Sequence, residues 1–199
     1  MIPKIIHQVW NEEDVSSYGR TGMGLRSQAS LKRDYSDCEY KVWTHEEIEK
    51  IMRDEEFKYI KQMYDKVEII KKADIGRLVV LKKYGGLYFD LDIISHSKIE
   101  NVFEMEFVAY KRGHKLGLTN SFIGSSADHP ILNATLKSIS EVTDSTMGPI
   151  QHTGPNRLQL VCEELNMLNN IHILKSNEFG NQGKNEPHKY ATHYKNHNW

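Results

Sequence analysis

The sequence predicts an α/β fold in which a mostly parallel sheet is flanked by helices, and three observations support this. Runs rich in β-branched and aromatic residues, over residues 5–10 and 39–43, are typical of strands. The strongest helical pattern covers residues 67–84, where apolar side chains recur with helical spacing and Lys82 and Lys83 occupy the last turn before a glycine. Because such strand and helix patterns alternate along the chain, a parallel sheet is favoured.

The other elements follow from caps and chain breakers. Thr44 and Glu47 have the spacing of a capping box, which opens a helix. The remaining expected elements are, in order, a helix from about residue 25, helices over 45–53 and 55–64, one strand through residues 85–94, strands over 106–111 and 121–125, a helix over 130–141, a helix after Pro155 and a strand over 171–174. The polar, histidine-rich last 25 residues are expected to be irregular.

Length and composition narrow the class of protein. A chain of 199 residues fits a single domain over residues 1–199, and excision from a longer chain is left open. The 26 basic and 27 acidic residues nearly cancel, so no nucleic-acid partner is expected. Cys38 and Cys162 form no metal or redox motif. No apolar run is as long as a membrane-spanning helix or the apolar core of a signal peptide. The chain is expected to be soluble, cytoplasmic rather than secreted, and of undetermined oligomeric state.

The stretch GGLYFDLDII, residues 85–94, carries the clearest chemistry. In a strand, Asp90 and Asp92 would point to the same side about 6.5 Å apart. Two such carboxylates repel each other, and a divalent cation with hard oxygen ligands relieves that repulsion. Taken alone, the pattern leaves open a cation site and a solvated strand end.

Two enzyme classes place a D-x-D motif at the end of an apolar strand. Haloacid-dehalogenase-like Mg-dependent phosphatases need a further acidic cluster downstream, whereas Asp128 and Asp144, the aspartates that follow Asp92, are isolated. The phosphatase hypothesis therefore lacks a complete magnesium site.

The run ADIGRLVVLKKYGGLYFDLDI, residues 73–93, resembles the DXD-containing sugar-transferases. That family includes initiating mannosyltransferases and capsular-polysaccharide transferases, with glucosylating clostridial toxins as distant relatives. Similar blocks continue in the family's order: IPKIIHQVWN, YSDCEYKVWTHEE, NSFIGSSADHPIL, TGP and HYKNHNW. The resemblance implies a GT-A fold with a Rossmann-like sheet, and a hexosyltransferase that uses a nucleotide-sugar donor, UDP-linked ahead of GDP-linked. The implied acceptor is a hydroxyl of a glycan or another molecule.

The resemblance also assigns donor contacts. Asp74 and Arg77, which share a helix face, are implied to bind hydroxyls of the donor sugar, although a surface ion pair explains them from spacing alone. Trp10 is implied to stack on the base beside backbone groups of Gln8 and Val9, although a tryptophan in a strand is more often part of the core. His7 is expected to be a hydrogen-bonded core residue.

The remaining assignments concern the metal and the reacting carbon. Asp92 is implied to ligate Mn²⁺ or Mg²⁺ directly, and Asp90 is implied to contact the donor ribose or the metal through water. In the closing HYKNHNW block, His197 is favoured over His193 as a metal ligand, and Trp199 is implied to contact the diphosphate. Asn120 is implied to lie near the anomeric carbon, and transfer is implied to retain its configuration. A catalytically inactive nucleotide-sugar-binding module is the remaining alternative.

Overall fold

The computed structural model describes residues 1–19, 22–111, 117–144, 146–183 and 188–195. Its strands are β1 (Ile5–Val9), β2 (Glu39–Trp43), β3 (Gly86–Phe89), β4 (Ile93–Ser95), β5 (Phe107–Lys111), β6 (Leu118–Ser125), β7 (His172–Leu174), β8 (Phe179–Asn181) and β9 (Ala191–His193). Its α-helices are α1 (Met23–Asp34), α2 (His45–Ile51), α3 (Lys58–Lys66), α4 (Ile69–Tyr84), α5 (Pro130–Ser140), α6 (Pro149–His152) and α7 (Pro155–Glu164).

The central sheet has six strands in the order β2-β1-β3-β6-β5-β7. β1 is parallel to β2 and β3, and β5 is parallel to β7, whereas β6 is antiparallel to both of its neighbours, β3 and β5. The expected mostly parallel sheet is therefore confirmed, with β6 as the antiparallel strand. The carboxyl ends of β1, β2 and β3 meet the amino end of β6 at one edge, where open α/β sheets bind ligands.

Helix α4 is buried along most of its length and packs against the sheet. It ends at Gly85, where φ is +65° and a Cβ would approach the Cδ of Pro3 to 2.7 Å and the backbone nitrogen of Ala127 to 2.8 Å. Since L side chains rarely adopt that backbone conformation, glycine is required at this sharp turn. The turn sends the chain directly from α4 into β3, as the sequence predicted.

The expectation of one strand through residues 85–94 is wrong beyond residue 89. The Asp90 backbone N–H donates to the Ser121 carbonyl at 2.8 Å, and the Ile93 N–H then donates back to the Asp90 carbonyl at 3.1 Å, which closes a turn. The chain leaves the central sheet at this turn because β4 pairs instead with β9. Asp90 and Asp92 therefore lie on a turn between two sheets and not on one strand face.

The expectation of an irregular carboxyl-terminal region is wrong for residues 179–181 and 191–193, which form β8 and β9. They pair with β4 in a second sheet of order β4-β9-β8. Phe179 of β8 stacks on Tyr110 and Phe122, with ring centroids 4.4 and 4.9 Å apart, and Tyr190 and Ala191 are buried in the same cluster. A few apolar residues in a polar segment were enough to attach it, because they enter an existing core.

None of the helices in the described ranges is long and apolar enough to cross a membrane.

The Thr44 capping box is present: the Thr44 side chain accepts from the Glu47 backbone N–H, and the Glu47 side chain accepts from the Thr44 backbone N–H.

His7 is a buried core histidine, as expected. Its Nε2–H donates to the Gly85 carbonyl at 2.7 Å, and its Nδ1 accepts from the indole N–H of Trp43 at 2.9 Å. The neutral ring satisfies both contacts, whereas a protonated ring would turn a second N–H toward the indole N–H. Burial accordingly lowers the pKa of His7 to about 4.

This pKa shift predicts a loss of stability in acid. Because the folded-state pKa of His7 lies below its unfolded value of about 6.5, its stabilising contribution is present above pH 6.5 and is lost as the pH falls toward 4. We expect the free energy of unfolding to fall by up to about 3 kcal/mol across that window. Urea titrations from pH 7 to pH 4 measure the loss.

Matched variants isolate the contribution of His7. His7→Gln retains one donor and one acceptor but takes up no proton, so the pH dependence of unfolding should become shallower. His172→Gln, at an exposed position of β7, should retain the wild-type slope. Equal slopes for wild type and His7→Gln would contradict the assignment.

Candidate active site

Helix α4 presents Asp74 and Arg77 on one buried face. Arg77 Nη2 lies 3.2 Å from Asp74 Oδ1, Nη1 lies 3.2 Å from Asp90 Oδ1, and Nη1 also donates to the Asn120 carbonyl at 2.7 Å. The guanidinium stacks over the Tyr88 ring at 4.8 Å. One buried arginine thus joins α4, the turn after β3 and the start of β6, which makes this pair more than a surface ion pair.

Both Asp74 oxygens have hydrogen-bond donors from other elements. The Asn120 side-chain amide donates to Oδ1 at 2.7 Å, and the Thr153 hydroxyl, just after α6, donates to Oδ2 at 2.8 Å. Burial raises the pKa of Asp74, although Arg77 and these two donors oppose the rise. The carboxylate is therefore held in one orientation by three neighbours.

The Asp90 carboxylate is buried next to a second carboxylate, that of Asp92. Its Oδ1 accepts from the Tyr88 hydroxyl at 2.7 Å and lies beside Arg77. Burial raises the pKa of Asp90 to about 6; Arg77 opposes the rise, and the neighbouring Asp92 adds to it. A pair of crowded carboxylates of this kind is stabilised by an added cation.

Strand pairing brings His193 to Asp92. Ile93 of β4 is the register partner of His193 of β9, and the Tyr194 N–H donates to the Asp92 carbonyl at 2.9 Å. His193 Nε2 consequently lies 3.1 Å from Asp92 Oδ1. Burial and the adjacent Asp92 and Asp90 carboxylates raise the pKa of the nearby Tyr18 hydroxyl.

Asp90, Asp92 and His193 together form a set suited to a metal ion. Each offers one ligand atom, and these atoms lie within 4.8 Å of one another. Two carboxylate oxygens suit Mg²⁺ and Mn²⁺, and an imidazole nitrogen suits the transition metal better. The residues therefore fit a divalent cation, Mn²⁺ or Mg²⁺, by donor chemistry and spacing.

These groups line one cavity of about 570 Å³ at the sheet edge. Its polar part includes Asp74, Arg77, Asp90, Asp92, Asn120 and His193. Its apolar part includes Ile70, Leu118, Pro149, Ile150 and Pro155. The cavity therefore offers a ligand both charged groups and apolar surface.

The structure brings together five residues predicted from the sequence, namely Asp74, Arg77, Asp90, Asp92 and Asn120. Gln8, Val9 and Trp10 are buried nearby and are not among the described residues that line the cavity.

The first-strand residues have internal contacts instead. The Gln8 amide donates to Ser27 Oγ at 3.0 Å and to the Asp90 carbonyl at 3.4 Å, and Gln8 accepts from the Tyr40 hydroxyl. Trp10 packs edge-on against Tyr18 and donates its indole N–H to Ser17 Oγ at 3.0 Å. Their assignment to the donor base stays a prediction.

Two further assigned residues, His197 and Trp199, lie outside the described residues. The sequence placed His193 second to His197 as a metal ligand, whereas the structure places His193 beside the two aspartates.

Sequence reasoning missed two residues near this site: Thr153 was assigned only to a helix start, and Tyr110 was given no role. The alternation of Tyr190-Ala191-Thr192-His193 is a strand signal that could have placed His193 at a strand end.

The aspartates that a phosphatase site would need are elsewhere. Asp128 pairs with Lys82 at 2.6 Å, and Asp144 accepts from the Thr146 hydroxyl at 2.7 Å, both on the surface. Neither lines the cavity, so the phosphatase hypothesis gains no metal site from the fold.

Comparisons with known proteins agree with this geometry. Residues 25–108 match the family described as "Glycosyltransferase sugar-binding region containing DXD motif". The chain is 31% identical over 170 residues to mannosyl phosphorylinositol ceramide synthase SUR1 of Saccharomyces cerevisiae, which covers 82% of this chain and 42% of that protein. It is 26% identical over 166 residues to inositol phosphoceramide mannosyltransferase 3 of Schizosaccharomyces pombe, covering 80% of this chain and 44% of that protein.

The chain thus spans less than half the length of these two yeast relatives. Among solved structures, the ligand-free glycosyltransferase domain from the YGT toxin superposes with a TM-score of 0.62 at 10% identity, over 87% of this chain and 79% of that one. This likeness shows a shared fold and confirms the expected GT-A architecture. Residues 25–108, which include the D-x-D turn, thus match the glycosyltransferase sugar-binding regions that contain a DXD motif, and the chain is similar over most of its length to the two yeast proteins.

Proposed function

We propose that this chain is a metal-dependent glycosyltransferase that moves a hexose from a nucleoside-diphosphate donor to a hydroxyl acceptor. The observation that carries the proposal is the placement of Asp90, Asp92 and His193 within ligand distance of one cation, in the same cavity as Asp74 and Arg77. The family that residues 25–108 match supports the same reaction class.

Asp92, Asp90 and His193 would hold Mn²⁺ or Mg²⁺ against the donor diphosphate. When bound, the cation supplies Lewis-acid assistance by offsetting charge on the leaving group. Asp92 is the best-placed ligand because its carboxylate is buried beside His193 Nε2, whereas Asp90 shares its carboxylate with Arg77 and Tyr88.

Asp74 and Arg77 form the wall where the donor sugar would lie. Asn120 and Thr153 orient the Asp74 carboxylate, which can still accept hydrogen bonds from sugar hydroxyls through its remaining lone pairs. Arg77 holds Asp74 and Asp90 at a constant separation. Given this pre-organisation, the anomeric carbon is proposed to lie near Asn120.

In the reaction, the bond between the anomeric carbon and the phosphate oxygen breaks, and the acceptor oxygen bonds to the same carbon. We propose attack on the face that the phosphate leaves, so that configuration is retained and the acceptor proton passes to the departing phosphate oxygen. No side-chain base is then required beside Asn120. The products are a glycoside and a nucleoside diphosphate.

The apolar residues that line the cavity favour an acceptor with an apolar portion. Ile70 and Ile150 line the cavity and are 38% and 53% exposed, and Pro149 and Pro155 lie beside them. The matched yeast proteins are named for mannosyl transfer to inositol phosphoceramide, which agrees with such an acceptor and with a mannosyl donor. The base is proposed to be uracil, with guanine as the competing choice.

A donor and metal panel tests the proposal. Thermal shift should show stabilisation by one nucleotide sugar in the presence of Mn²⁺, because a ligand that binds only the folded state raises its stability. UDP- and GDP-linked hexoses, with Mn²⁺, Mg²⁺ or chelator, are then assayed for release of the nucleoside diphosphate. Alkyl glycosides and the matching free sugars serve as paired acceptors, and the alkyl forms should react faster.

The possible results distinguish a glycosyltransferase from a phosphatase and from a binding module. Release of phosphate from phosphomonoesters without turnover of nucleotide sugars would favour the phosphatase. Tight donor binding with neither transfer nor slow donor hydrolysis would favour a binding module. Metal-independent turnover would contradict the proposed role of the acidic cluster.

A further inference from the structure

The ring nitrogen of His193 that faces away from the acidic cluster contacts a chain of buried hydroxyls. His193 Nδ1 lies 3.0 Å from the Tyr110 hydroxyl oxygen and 3.4 Å from Ser121 Oγ. The Tyr110 hydroxyl lies 3.0 Å from Ser121 Oγ, which in turn lies 3.1 Å from Thr119 Oγ1. Tyr110 is fully buried and takes no part in the chemistry described above.

The direction of these hydrogen bonds decides which nitrogen of His193 can ligate. A neutral imidazole that binds a metal through Nε2 carries its proton on Nδ1, so Nδ1 needs an acceptor. The Tyr110 oxygen accepts that proton when its own O–H donates to Ser121, and Ser121 can donate onward to Thr119. Since hydroxyls both donate and accept, this orientation provides an acceptor for the His193 Nδ1–H, the Tyr110 O–H and the Ser121 O–H.

We propose that Tyr110 is a positioning residue that fixes the ring and tautomer of His193 so that Nε2 serves as the third ligand of the divalent cation. The inference rests on the metal site of the proposed function. Partners of this kind hold metal-binding histidines in many proteins, and their loss typically costs 10- to 100-fold in metal affinity.

Tyr110→Phe removes only the hydroxyl, because the ring can keep its stacking on Phe179. We expect the purified variant, without donor or acceptor, to bind Mn²⁺ at least about tenfold more weakly than wild type by electron paramagnetic resonance titration. Mg²⁺ affinity, measured by competition with Mn²⁺, should change less, because imidazole suits Mn²⁺ better than Mg²⁺. The ratio of the two affinities therefore reports on His193 and not on general loss of structure.

The chain offers a matched control in Tyr64→Phe. Tyr64 is another fully buried tyrosine whose hydroxyl lies 2.8 Å from the Nδ1 of a histidine, His45, on the packed helices away from the cavity. Both phenylalanine variants lose a tyrosine–histidine hydrogen bond, and Tyr110→Phe also loses its contact with Ser121, so both should be less stable than wild type. Only Tyr110→Phe should lose Mn²⁺ affinity.

A double variant completes the test. In a His193→Ala background, Tyr110→Phe should cause no further loss of Mn²⁺ affinity, because the hydroxyl acts through the imidazole. Additive losses, or wild-type affinity in Tyr110→Phe, would overturn the inference. If instead wild type and Asp92→Asn bind Mn²⁺ equally weakly, the proposed metal site itself fails, and the two failures are distinguished.

Discussion

Asp92→Asn should reduce metal-dependent sugar transfer by about a thousandfold or more while the protein stays folded. The side chain keeps its shape, but a neutral amide is a much poorer ligand than a carboxylate for Mn²⁺ or Mg²⁺. Lewis-acid stabilisation of the leaving group is worth several kcal/mol, and each 1.36 kcal/mol changes a rate tenfold. The turnover number and Mn²⁺ affinity are measured together, with circular dichroism to verify the fold.

Asp37→Asn is the matched control for this change. Asp37 is an exposed aspartate that pairs with Lys4 and Lys98, away from the cavity, so its variant should transfer sugar at the wild-type rate. Removal of the metal from wild type with a chelator should reproduce the Asp92→Asn defect. Normal Mn²⁺-dependent transfer by Asp92→Asn would rule out the assigned ligand.

Arg77→Met should destabilise the fold as well as stop the reaction. The substitution leaves the Asp74 and Asp90 carboxylates buried without their shared cation, and removal of one partner from a buried ion pair typically costs about 3–5 kcal/mol. It also removes the hydrogen bond to the Asn120 carbonyl. Urea unfolding of the metal-free protein measures the loss, and donor turnover measures the effect on the site.

Arg33→Met provides the comparison on the surface. Arg33 pairs with Asp34 at 2.7 Å but is 62% exposed, so its loss should change stability by less than about 1 kcal/mol. If Arg77→Met unfolds at the same urea concentration as Arg33→Met, Arg77 does not hold the two aspartates together as described.

The local part of the site could be predicted from the sequence. Helical spacing puts Asp74 and Arg77 on one face, and the two glycines end α4 so that β3 follows at once and delivers Asp90 to the sheet edge. These relations depend on residues close together in the chain, so propensity and periodicity are sufficient. The parallel arrangement of β1, β2 and β3 followed from the same alternation of strands and helices.

The positions of Trp10 and of the D-x-D motif could not be predicted from neighbouring residues in the sequence. The sequence placed Asp90 and Asp92 on one strand face. After Phe89, however, the Asp90 N–H donates to the Ser121 carbonyl and the Ile93 N–H donates to the Asp90 carbonyl, which turns the chain out of the central sheet. The sequence placed Trp10 at the end of the first strand, whereas β1 ends at Val9 and the Trp10 indole packs into a cluster with Tyr18 and Leu91. Neither outcome can be read from side-chain periodicity, because each depends on neighbours distant in sequence.

The sequence by itself determined the α/β class, the helix that carries Asp74 and Arg77, and the acidic pair that follows β3. Only the tertiary structure decided that His193 lies beside Asp90 and Asp92, that Thr153 orients Asp74 and that the Tyr110 hydroxyl contacts Nδ1 of His193. The reason is that β4 and β9 pair across about a hundred residues of chain, in a register set by burial and strand pairing and not by any local pattern.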